Sequence, residues 1–328
     1  MSLLVIVIAL LAAFFGMILL APIYISLLRR LGFGKQIRTD GPEAHLGKAG
    51  TPTMGGMLIV AVVLFLAMAM RIEDAATLTP MLTLMGVGIL GALDDFVNTR
   101  TGIGMRGRWK LVWQTIVAIL AGFYIQRHFD ISAINIPLLG EIIIGPLLFV
   151  VFVAFVIVGT SNAVNLTDGL DGLAGGVLIF SFVAYLLVSL VPIEGVKLAQ
   201  ENLAVLCALI IGALMGFLWF NVHPAQIIMG DSGSLGLGAT LAVVATVNGQ
   251  LPLLAVIGIV FFAVIMSVVL QVLSYRLRGR RIFRMAPLHH HFELIGWAEE
   301  KITVRFWIVS ALAGVLGFSI FLIGVNGL

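Results

Sequence analysis

Charged residues and cysteine are both scarce in this chain, and their scarcity excludes several classes of protein. Only 11% of the residues are Asp, Glu, Lys or Arg, while 61% are hydrophobic. Soluble globular domains carry about 25% charged residues, so this composition excludes a soluble globule and predicts a membrane protein. The single cysteine, Cys207, excludes a disulfide framework and a cysteine-based metal site. The net charge of +3 is small, and we expect no nucleic-acid partner.

Apolar stretches long enough to cross a bilayer recur along the whole chain. We predict an all-α polytopic membrane protein that forms a single transmembrane domain over residues 1–328, with about ten transmembrane helices. The predicted spans are 3–28, 54–70, 77–96, 110–126, 145–164, 173–191, 202–220, 235–248, 252–275 and 304–325. The first is longer than the apolar core of a signal peptide, so we expect it to be a span. The eighth is short for a crossing.

Basic residues are concentrated on one side of this arrangement. Residues 29–53, 97–110 and 276–305 hold five, four and seven of the nineteen Lys and Arg. Loops rich in Lys and Arg stay in the cytoplasm, so both termini are predicted to lie outside. β-Branched residues around a Pro-Leu-Leu-Gly turn predict a short β-hairpin on the outer face at 131–144. The predicted cytoplasmic loops are 29–53, 97–110, 165–172, 221–234 and 276–303.

Two carboxylate motifs lie near the predicted cytoplasmic ends of the spans. Asp94 and Asp95 end the third span, where carboxylates are costly unless they reach water or a cation. Neighbours on a helix point about 100° apart, so the two are expected to have different tasks. The motif Gly230–Ser234 places small residues around Asp231, an arrangement that can accept phosphate and Mg²⁺ at a helix N-terminus. It lacks the Lys of a Walker loop, which excludes an ATPase.

A third polar motif follows the fifth span. Asn165, Asp168 and Asp171 recur at i, i+3 and i+6, which on a turn of helix brings them roughly to one side. No Lys or Arg lies between residues 128 and 196. The partners of Asp168 and Asp171 must therefore come from another loop, a substrate or a metal.

Three consecutive histidines, His289, His290 and His291, lie in the last predicted cytoplasmic loop. Three neighbours on a helix cannot all face one metal, so we favour imidazoles that meet phosphate oxygens over a zinc site. Lys48 and Lys110 add cations in the same compartment, although a single basic residue there can also be only a topology signal. Together the motifs predict a site of phosphate and Mg²⁺ type, and phosphoryl or phosphosugar transfer to or from a lipid.

The motifs resemble, in the same order along the chain, those of the phospho-N-acetylmuramoyl-pentapeptide transferases, the MraY translocase family. The similar segments are His45–Gly56, Asp94–Asp95, Asn165–Gly172, Gly230–Ser234 and Pro287–Glu293. The resemblance implies transfer of phospho-MurNAc-pentapeptide from UDP-MurNAc-pentapeptide to undecaprenyl phosphate, giving lipid I and UMP. It also implies Mg²⁺ as cofactor, a homodimer, and a bacterial cytoplasmic membrane with the active site facing the cytoplasm.

The resemblance also implies roles for individual residues. Asp231 would hold Mg²⁺, and Asp94 or Asp95 would act on the lipid phosphate as base or positioning group. The residues implied to face the uracil are Lys48, Gly169, Leu170 and Asp171. Those implied to line the pocket beside the ribose are Thr53, Asn165, Asp168 and Gly230. His289, His290 and His291 would lie along the diphosphate and sugar, with His289 among the catalytic residues, and Lys110 and Asn221 complete the substrate-binding set.

Two departures from the family pattern and two rival functions accompany this resemblance. Ile228 replaces a Phe on which the family usually stacks the uracil, and Asn98 replaces a common Lys. One rival is a secondary transporter or flippase, in which ionisable residues tend to lie near the bilayer midplane. The other is a sister transferase that uses UDP-N-acetylglucosamine. The resemblance leaves open whether the lipid phosphate attacks directly or an Asp first forms a covalent intermediate.

Overall fold

A computed structural model describes residues 3–34, 50–191 and 200–326, and these residues are mostly helical. Lys48 lies outside the described residues. The helices are α1 (Leu3–Leu31), α2 (Gly55–Ala69), α3 (Ala75–Thr101), α4 (Gly107–Phe129), α5 (Pro146–Thr167), α6 (Leu173–Leu190), α7 (Gln200–Asn221), α8 (Gly230–Val247), α9 (Leu254–Ile257), α10 (Ile259–Arg278), α11 (Leu288–Leu294) and α12 (Glu299–Asn326). A two-stranded sheet of β1 (Ala133–Ile136) and β2 (Gly140–Ile143) separates α4 from α5.

Every stretch that the sequence predicts as a span contains helix. Among the described residues, seven helices are long and apolar enough to cross a membrane: α1, α3, α5, α6, α7, α10 and α12. The apolar helix α2 is shorter, with 15 residues. A multi-pass membrane protein is therefore confirmed, while the count of ten crossings and the positions of the termini stay predictions.

The structure corrects two predicted boundaries. The third stretch does not end at Asp94 and Asp95, because α3 continues to Thr101, where Gly102 closes it with a φ of 72°. Most of the predicted loop 97–110 is accordingly helical. The ninth stretch, 252–275, is not one helix: a 3-10 turn and the short α9 precede Gly258, and α10 begins after it.

Helix α8 forms the centre of the protein. All of its residues from Ser232 to Val247 are buried, and it packs against α2, α3, α5 and α6. Small residues bring the neighbouring backbones close: a Cβ on Gly56 would lie 2.0 Å from the nitrogen of Gly233, and one on Gly236 would lie 3.3 Å from the Cα of Gly88. Glycine pairs of this kind allow close helix packing in lipid. The close packing fixes the position of the first turn of α8.

The predicted hairpin and the polar motifs lie at opposite ends of the protein. The strands pair antiparallel, with Ala133 opposite Ile143 and Ile136 opposite Gly140, so the hairpin is confirmed. A Cβ on Gly324, near the end of α12, would lie 3.7 Å from the nitrogen of Leu138 in the hairpin turn. The first residue of α12, Glu299, contacts the polar motifs. A helix of 28 residues is about 42 Å long, which separates the two ends by roughly a membrane thickness.

Candidate active site

One lysine bridges two of the predicted catalytic carboxylates. The Nζ of Lys110, in the first turn of α4, lies 2.6 Å from Oδ2 of Asp94 and 2.7 Å from Oδ2 of Asp231. The Asp94 side chain is 6% exposed, whereas those of Lys110 and Asp231 are 24% and 22% exposed. Asp94 also accepts a hydrogen bond of 2.5 Å from the backbone nitrogen of Met105. The three charged groups therefore lie together, with Asp94 buried and with Lys110 and Asp231 partly exposed.

Asp95 has a different task from its neighbour, as the helical geometry predicts. Its Oδ1 accepts from the backbone nitrogen of Asp231 at 3.0 Å, and its Oδ2 accepts from that of Ser232 at 3.1 Å. These N–H groups belong to the first turn of α8, where a helix lacks internal acceptors and carries partial positive charge. The buried Asp95 carboxylate thus caps α8 from another helix and holds Asp231 in place.

Two glycines make this arrangement sterically feasible. Gly230 has a φ of 76°, which side-chain-bearing residues rarely adopt, and a Cβ there would lie 2.5 Å from Oδ2 of Asp95. A Cβ on Gly91 would lie 2.2 Å from the carbonyl oxygen of Asp231. Any larger residue at either position would push α8 away from α3. Gly230 lies against the Asp95 carboxylate, and its place beside the ribose stays a prediction.

Asn165, near the end of α5, completes a group of side chains that we call the first cluster: Asp94, Asp95, Lys110, Asn165 and Asp231. Its Nδ2 donates to Oδ1 of Asp231 at 2.8 Å and to Oγ of Ser234 at 2.9 Å. Asn165, Asp168 and Asp171 do not share one turn of helix, because α5 ends at Thr167 and the chain turns. Asn165 reaches Asp231 from the helix, and Asp171 lies beyond the turn.

A second cluster surrounds Asp171. Oδ2 of Asp171 lies 3.1 Å from Nδ1 of His223 and accepts from the backbone nitrogen of Ala225 at 3.1 Å. The backbone nitrogen of Asp171 donates to Oε1 of Glu299 at 2.6 Å, and Oε2 of Glu299 lies 3.5 Å from Nδ1 of His223. Of the alternatives that the sequence leaves open, the structure shows partners of Asp171 from other segments of the chain. His223 and Glu299 were not predicted.

Asn221 connects the second cluster to the segment that leads into α8. Its Oδ1 accepts from the backbone nitrogen of Gly172 at 3.1 Å, and its Nδ2 donates to the carbonyl of Ile227 at 2.8 Å. Leu170, which precedes Asp171 in the chain, is only 3% exposed, so its side chain belongs to the core. Asp168 caps the end of α5.

The triple histidine lies on the short helix α11, and its members have three different environments. His289 is fully buried, and its Nε2 would lie 2.2 Å from a Cβ on Gly169. Nδ1 of His290 lies 2.5 Å from Oε2 of Glu293, and Nδ1 of His291 accepts from the backbone nitrogen of Arg284 at 3.2 Å. The histidines therefore do not share one ligand position. His289 adjoins the turn after α5, and His291 adjoins the loop after α10.

Thr53 reaches the same end of the protein through backbone contacts. Its nitrogen donates to the carbonyl of Phe33, while the neighbouring Pro52 and Gly55 exchange backbone hydrogen bonds with Ile228. Ile228 is 7% exposed, so it is a core residue in this structure.

Asn98, which replaces a Lys common in the family, is exposed on α3. The ammonium group at the carboxylates comes from Lys110 instead. The Arg100 guanidinium lies over the rings of Phe33 and Phe96.

The donor set of the first cluster fits Mg²⁺. Asp94 and Asp231 direct carboxylate oxygens at one cationic group, the Lys110 ammonium, and Asp95 holds the backbone of Asp231 from the other side. Mg²⁺ prefers oxygen ligands and is often held by one or two carboxylates plus substrate phosphates. Each carboxylate oxygen can accept more than one contact, so the bonds from Lys110 and Asn165 leave Asp231 able to coordinate. In the second cluster, by contrast, three side chains, Asp171, His223 and Glu299, have ligand atoms within 4.8 Å of one another.

Comparison with known proteins decides the family. Residues 77–249 match the model of glycosyl transferase family 4. The phospho-N-acetylmuramoyl-pentapeptide-transferase of Geobacillus sp. (strain WCH70) is 42% identical over 322 residues, which cover 96% of this chain and 98% of the relative. That of Geobacillus thermodenitrificans (strain NG80-2) is 40% identical with the same coverage, and that of Rubrobacter xylanophilus is 42% identical over 93% of this chain and 94% of its own length.

The chain belongs to the phospho-N-acetylmuramoyl-pentapeptide transferase family.

The matched region of this transferase contains the whole first cluster. Asp94, Lys110, Asn165 and Asp231 lie within residues 77–249. The triple histidine and Glu299 lie outside that match but inside the alignments that cover most of the chain. The family match therefore spans the carboxylate cluster, and the longer alignments extend beyond it.

Proposed function

We propose that this transferase moves phospho-MurNAc-pentapeptide from UDP-MurNAc-pentapeptide to undecaprenyl phosphate, producing lipid I and UMP for peptidoglycan synthesis. The observation that carries the proposal is the convergence of Lys110, Asp94 and Asp231 at one end of a membrane bundle, in a chain 42% identical to transferases of that name. Phosphoryl transfer depends mostly on positioning and charge stabilisation, and a lysine between carboxylates provides both.

In the direct reaction, an oxygen of the lipid phosphate forms a bond to the phosphorus that carries the sugar. The bond from that phosphorus to the bridging oxygen breaks, and this oxygen leaves with UMP. Lys110 stabilises the negative charge of the phosphates, and Asp94 orients the lipid phosphate and accepts its proton where it carries one. We assign this role to Asp94 because it shares Lys110 with Asp231, whereas Asp95 contacts the backbone of the first turn of α8 with both of its oxygens. Asp95 is then a positioning residue.

Asp231 is the proposed ligand of Mg²⁺, with Asp94 beside it. When bound, Mg²⁺ supplies positive charge that neutralises the diphosphate and favours departure of UMP. Asn165 fixes the rotamer of Asp231 by donating to its Oδ1, so the other oxygen faces Lys110 and the opening. The protein therefore presents a preoriented carboxylate to a cation held by the substrate.

The nucleotide is proposed to bind at the second cluster. The turn of Gly169, Leu170 and Asp171 lies between the first cluster and the triple histidine, because Asn165 precedes it and Gly169 contacts His289. Asn221 holds the turn through the backbone of Gly172. Lys48 and Thr53 are proposed to contribute from the segment that precedes α2, and His290 and His291 to lie beside the diphosphate and sugar.

We further propose that this site faces the cytoplasm of a bacterial cytoplasmic membrane, and that the enzyme is a homodimer. The orientation is supported by the basic loops, which hold sixteen of the nineteen Lys and Arg, and by the position of the hairpin at the opposite end. The dimer rests on the family resemblance alone. A flippase is less well supported, because the charged cluster lies at one end of the bundle.

The test is a UMP-release assay in detergent, where no transport can occur. The purified protein is incubated with undecaprenyl phosphate and either UDP-MurNAc-pentapeptide or UDP-N-acetylglucosamine. The proposal expects UMP and lipid I from the first donor only. Release from UDP-N-acetylglucosamine alone would assign the sister transferase, and no release from either donor would contradict transferase activity.

A further inference from the structure

One imidazole and two carboxylates of the second cluster converge on a single point. Nδ1 of His223 lies 3.1 Å from Oδ2 of Asp171 and 3.5 Å from Oε2 of Glu299, and all three ligand atoms lie within 4.8 Å of one another. In a tetrahedral zinc site, bonds of about 2.0–2.2 Å place the ligand atoms about 3.3–3.6 Å apart. The two distances from His223 are therefore close to those that a bound zinc ion requires.

The donor atoms of this cluster select a different metal from the first cluster. Mg²⁺ takes oxygen ligands, whereas an imidazole nitrogen is a ligand for zinc and the neighbouring transition metals. Three protein ligands, with a fourth position left for water, are the pattern of an accessible zinc site. The side chains of Asp171 and Glu299 are 6% and 11% exposed, and that of His223 is 34% exposed. An ion can therefore reach the cluster from solvent beside the imidazole.

Neighbouring groups orient the donors toward one another. Oε1 of Glu299 accepts from the backbone nitrogen of Asp171 at 2.6 Å, while Oε2 of Glu299 faces His223. The second imidazole nitrogen, Nε2, lies 3.5 Å from Oε1 of Glu300. A carboxylate behind a metal-binding histidine favours the tautomer with its proton on that side. The lone pair of Nδ1 then faces two carboxylate oxygens, an arrangement that a cation stabilises.

Contacts of the fold itself hold the turn that carries Asp171. The hydroxyl of Thr303 on α12 donates to the carbonyl of Asp171 at 3.3 Å, and Nε1 of Trp307 donates to the carbonyl of Gly172 at 3.2 Å. The backbone nitrogen of Ala225 donates to Oδ2 of Asp171 at 3.1 Å. The turn after α5, the connection between α7 and α8, and the start of α12 are therefore joined by contacts that need no metal.

We propose that Asp171, His223 and Glu299 form a binding site for Zn²⁺, separate from the Mg²⁺ site proposed at Asp231. An ion at this site occupies the Asp171 carboxylate, which is proposed to face the uracil. Bound zinc therefore competes with the UDP-substrate and inhibits the transferase. This inhibition rests on the proposed function, whereas the metal site does not. The alternative is an imidazolium at His223 that bridges the carboxylates without a metal.

The first experiment measures metal binding without substrate. The protein is purified in detergent, stripped of metals with a chelator, and titrated with Zn²⁺ in the presence of excess Mg²⁺, which competes for the oxygen ligands of the first cluster. A parallel titration with Co²⁺ reports the ligand set through its visible absorption. The variants are His223→Gln and Glu299→Gln. The matched control is His128→Gln, which removes an exposed imidazole stacked on Tyr124.

Wild type and His128→Gln are expected to bind one zinc ion per chain with equal affinity. His223→Gln and Glu299→Gln are expected to bind it at least about tenfold more weakly, because losing a ligand costs no less than losing a partner behind one. No zinc binding by the wild type, or an affinity of His223→Gln equal to that of the wild type, overturns the inference in favour of the imidazolium. Loss of zinc binding in Asp231→Asn places the ion at the first cluster, which also overturns it.

The second experiment measures the KM for UDP-MurNAc-pentapeptide by UMP release, with and without Zn²⁺. Zinc is expected to raise this KM several-fold in the wild type, with kcat and the KM for undecaprenyl phosphate unchanged. In His223→Gln the ratio of the two KM values is expected to be close to one. Zinc binding at the cluster with an unchanged KM, or a lower kcat alone, overturns the competition.

The outcomes separate this inference from the proposed function. If the wild type binds zinc through His223 and Glu299 but releases no UMP from either donor, the proposed function fails and the metal site stands. If it releases UMP from the pentapeptide donor but binds no zinc at the cluster, only the inference fails.

Discussion

The ammonium of Lys110 lies 2.7 Å from Oδ2 of Asp231, although the two residues are 121 positions apart in the sequence. The same ammonium contacts Asp94 at 2.6 Å, so α3, α4 and α8 meet at one cation. A lysine in this position keeps two carboxylates close together in the absence of substrate. It also supplies a positive charge where phosphates are proposed to bind.

Replacing Lys110 by Met is expected to lower kcat/KM at least about 100-fold, because the charge that stabilises the phosphates is lost. The two carboxylates also lose their shared partner, so a lower Tm is expected. Arg108→Met is the matched control, since Arg108 lies two residues earlier and its guanidinium lies over the ring of Trp109. Wild-type kcat/KM in Lys110→Met, measured by UMP release, would exclude Lys110 from the reaction.

Asp95→Ala is expected to destabilise the protein by about 1–2 kcal/mol, because two N–H groups at the start of α8 lose their acceptor. Asp95→Asn keeps one acceptor oxygen and should destabilise less. Thermal unfolding in detergent measures the order wild type, Asn, Ala. An Asp95→Ala variant that is as stable as the wild type but inactive would mean that Asp95 acts in the chemistry and not as a cap.

His223→Gln and Glu299→Gln are expected to raise the KM for the UDP-substrate several-fold, because these side chains hold Asp171 beside the proposed nucleotide site. The KM for undecaprenyl phosphate and kcat should change little, since binding of the nucleotide end is equal in the ground and transition states. The double variant should lose less than the sum of the two single losses, because the residues share one network. A fall in kcat with unchanged KM would contradict this role.

Cysteine labelling can establish the orientation. The native Cys207 is fully buried, so it should give little background in the folded protein. A cysteine at Arg108 is expected to react only from the cytoplasmic side, and one at Ala133 in the hairpin only from outside. Labelling of both positions from the same side would contradict the proposed topology.

The sequence predicts the helices well because apolar stretches in lipid leave few alternatives to helix. It also predicts the hairpin from its β-branched residues and turn, and the separate tasks of Asp94 and Asp95 from their angular spacing. It treats Asn165 and Asp171 as neighbours on one turn of helix, but α5 ends at Thr167, and the two Asp-Gly pairs of the motif are the turn signal that indicates this end.

Some site residues carry no local signal. His223 lies before a proline in a short connection, and Glu299 begins α12, where an acidic residue is an ordinary feature of a helix N-terminus. Only the packing of α6, α7 and α12 brings them to Asp171. The contact between Lys110 and Asp231 likewise depends on tertiary structure, because α4 and α8 are far apart along the chain.

The most direct test of the account is UMP release as a function of Mg²⁺ concentration, with the wild type and Asp231→Asn measured side by side in detergent. Undecaprenyl phosphate and UDP-MurNAc-pentapeptide are the substrates, and a thermal unfolding curve confirms that the variant is folded. The account predicts that chelation abolishes activity of the wild type, and that Asp231→Asn has less than about one hundredth of the wild-type rate at every Mg²⁺ concentration. A folded Asp231→Asn enzyme with wild-type rates and Mg²⁺ dependence would contradict it.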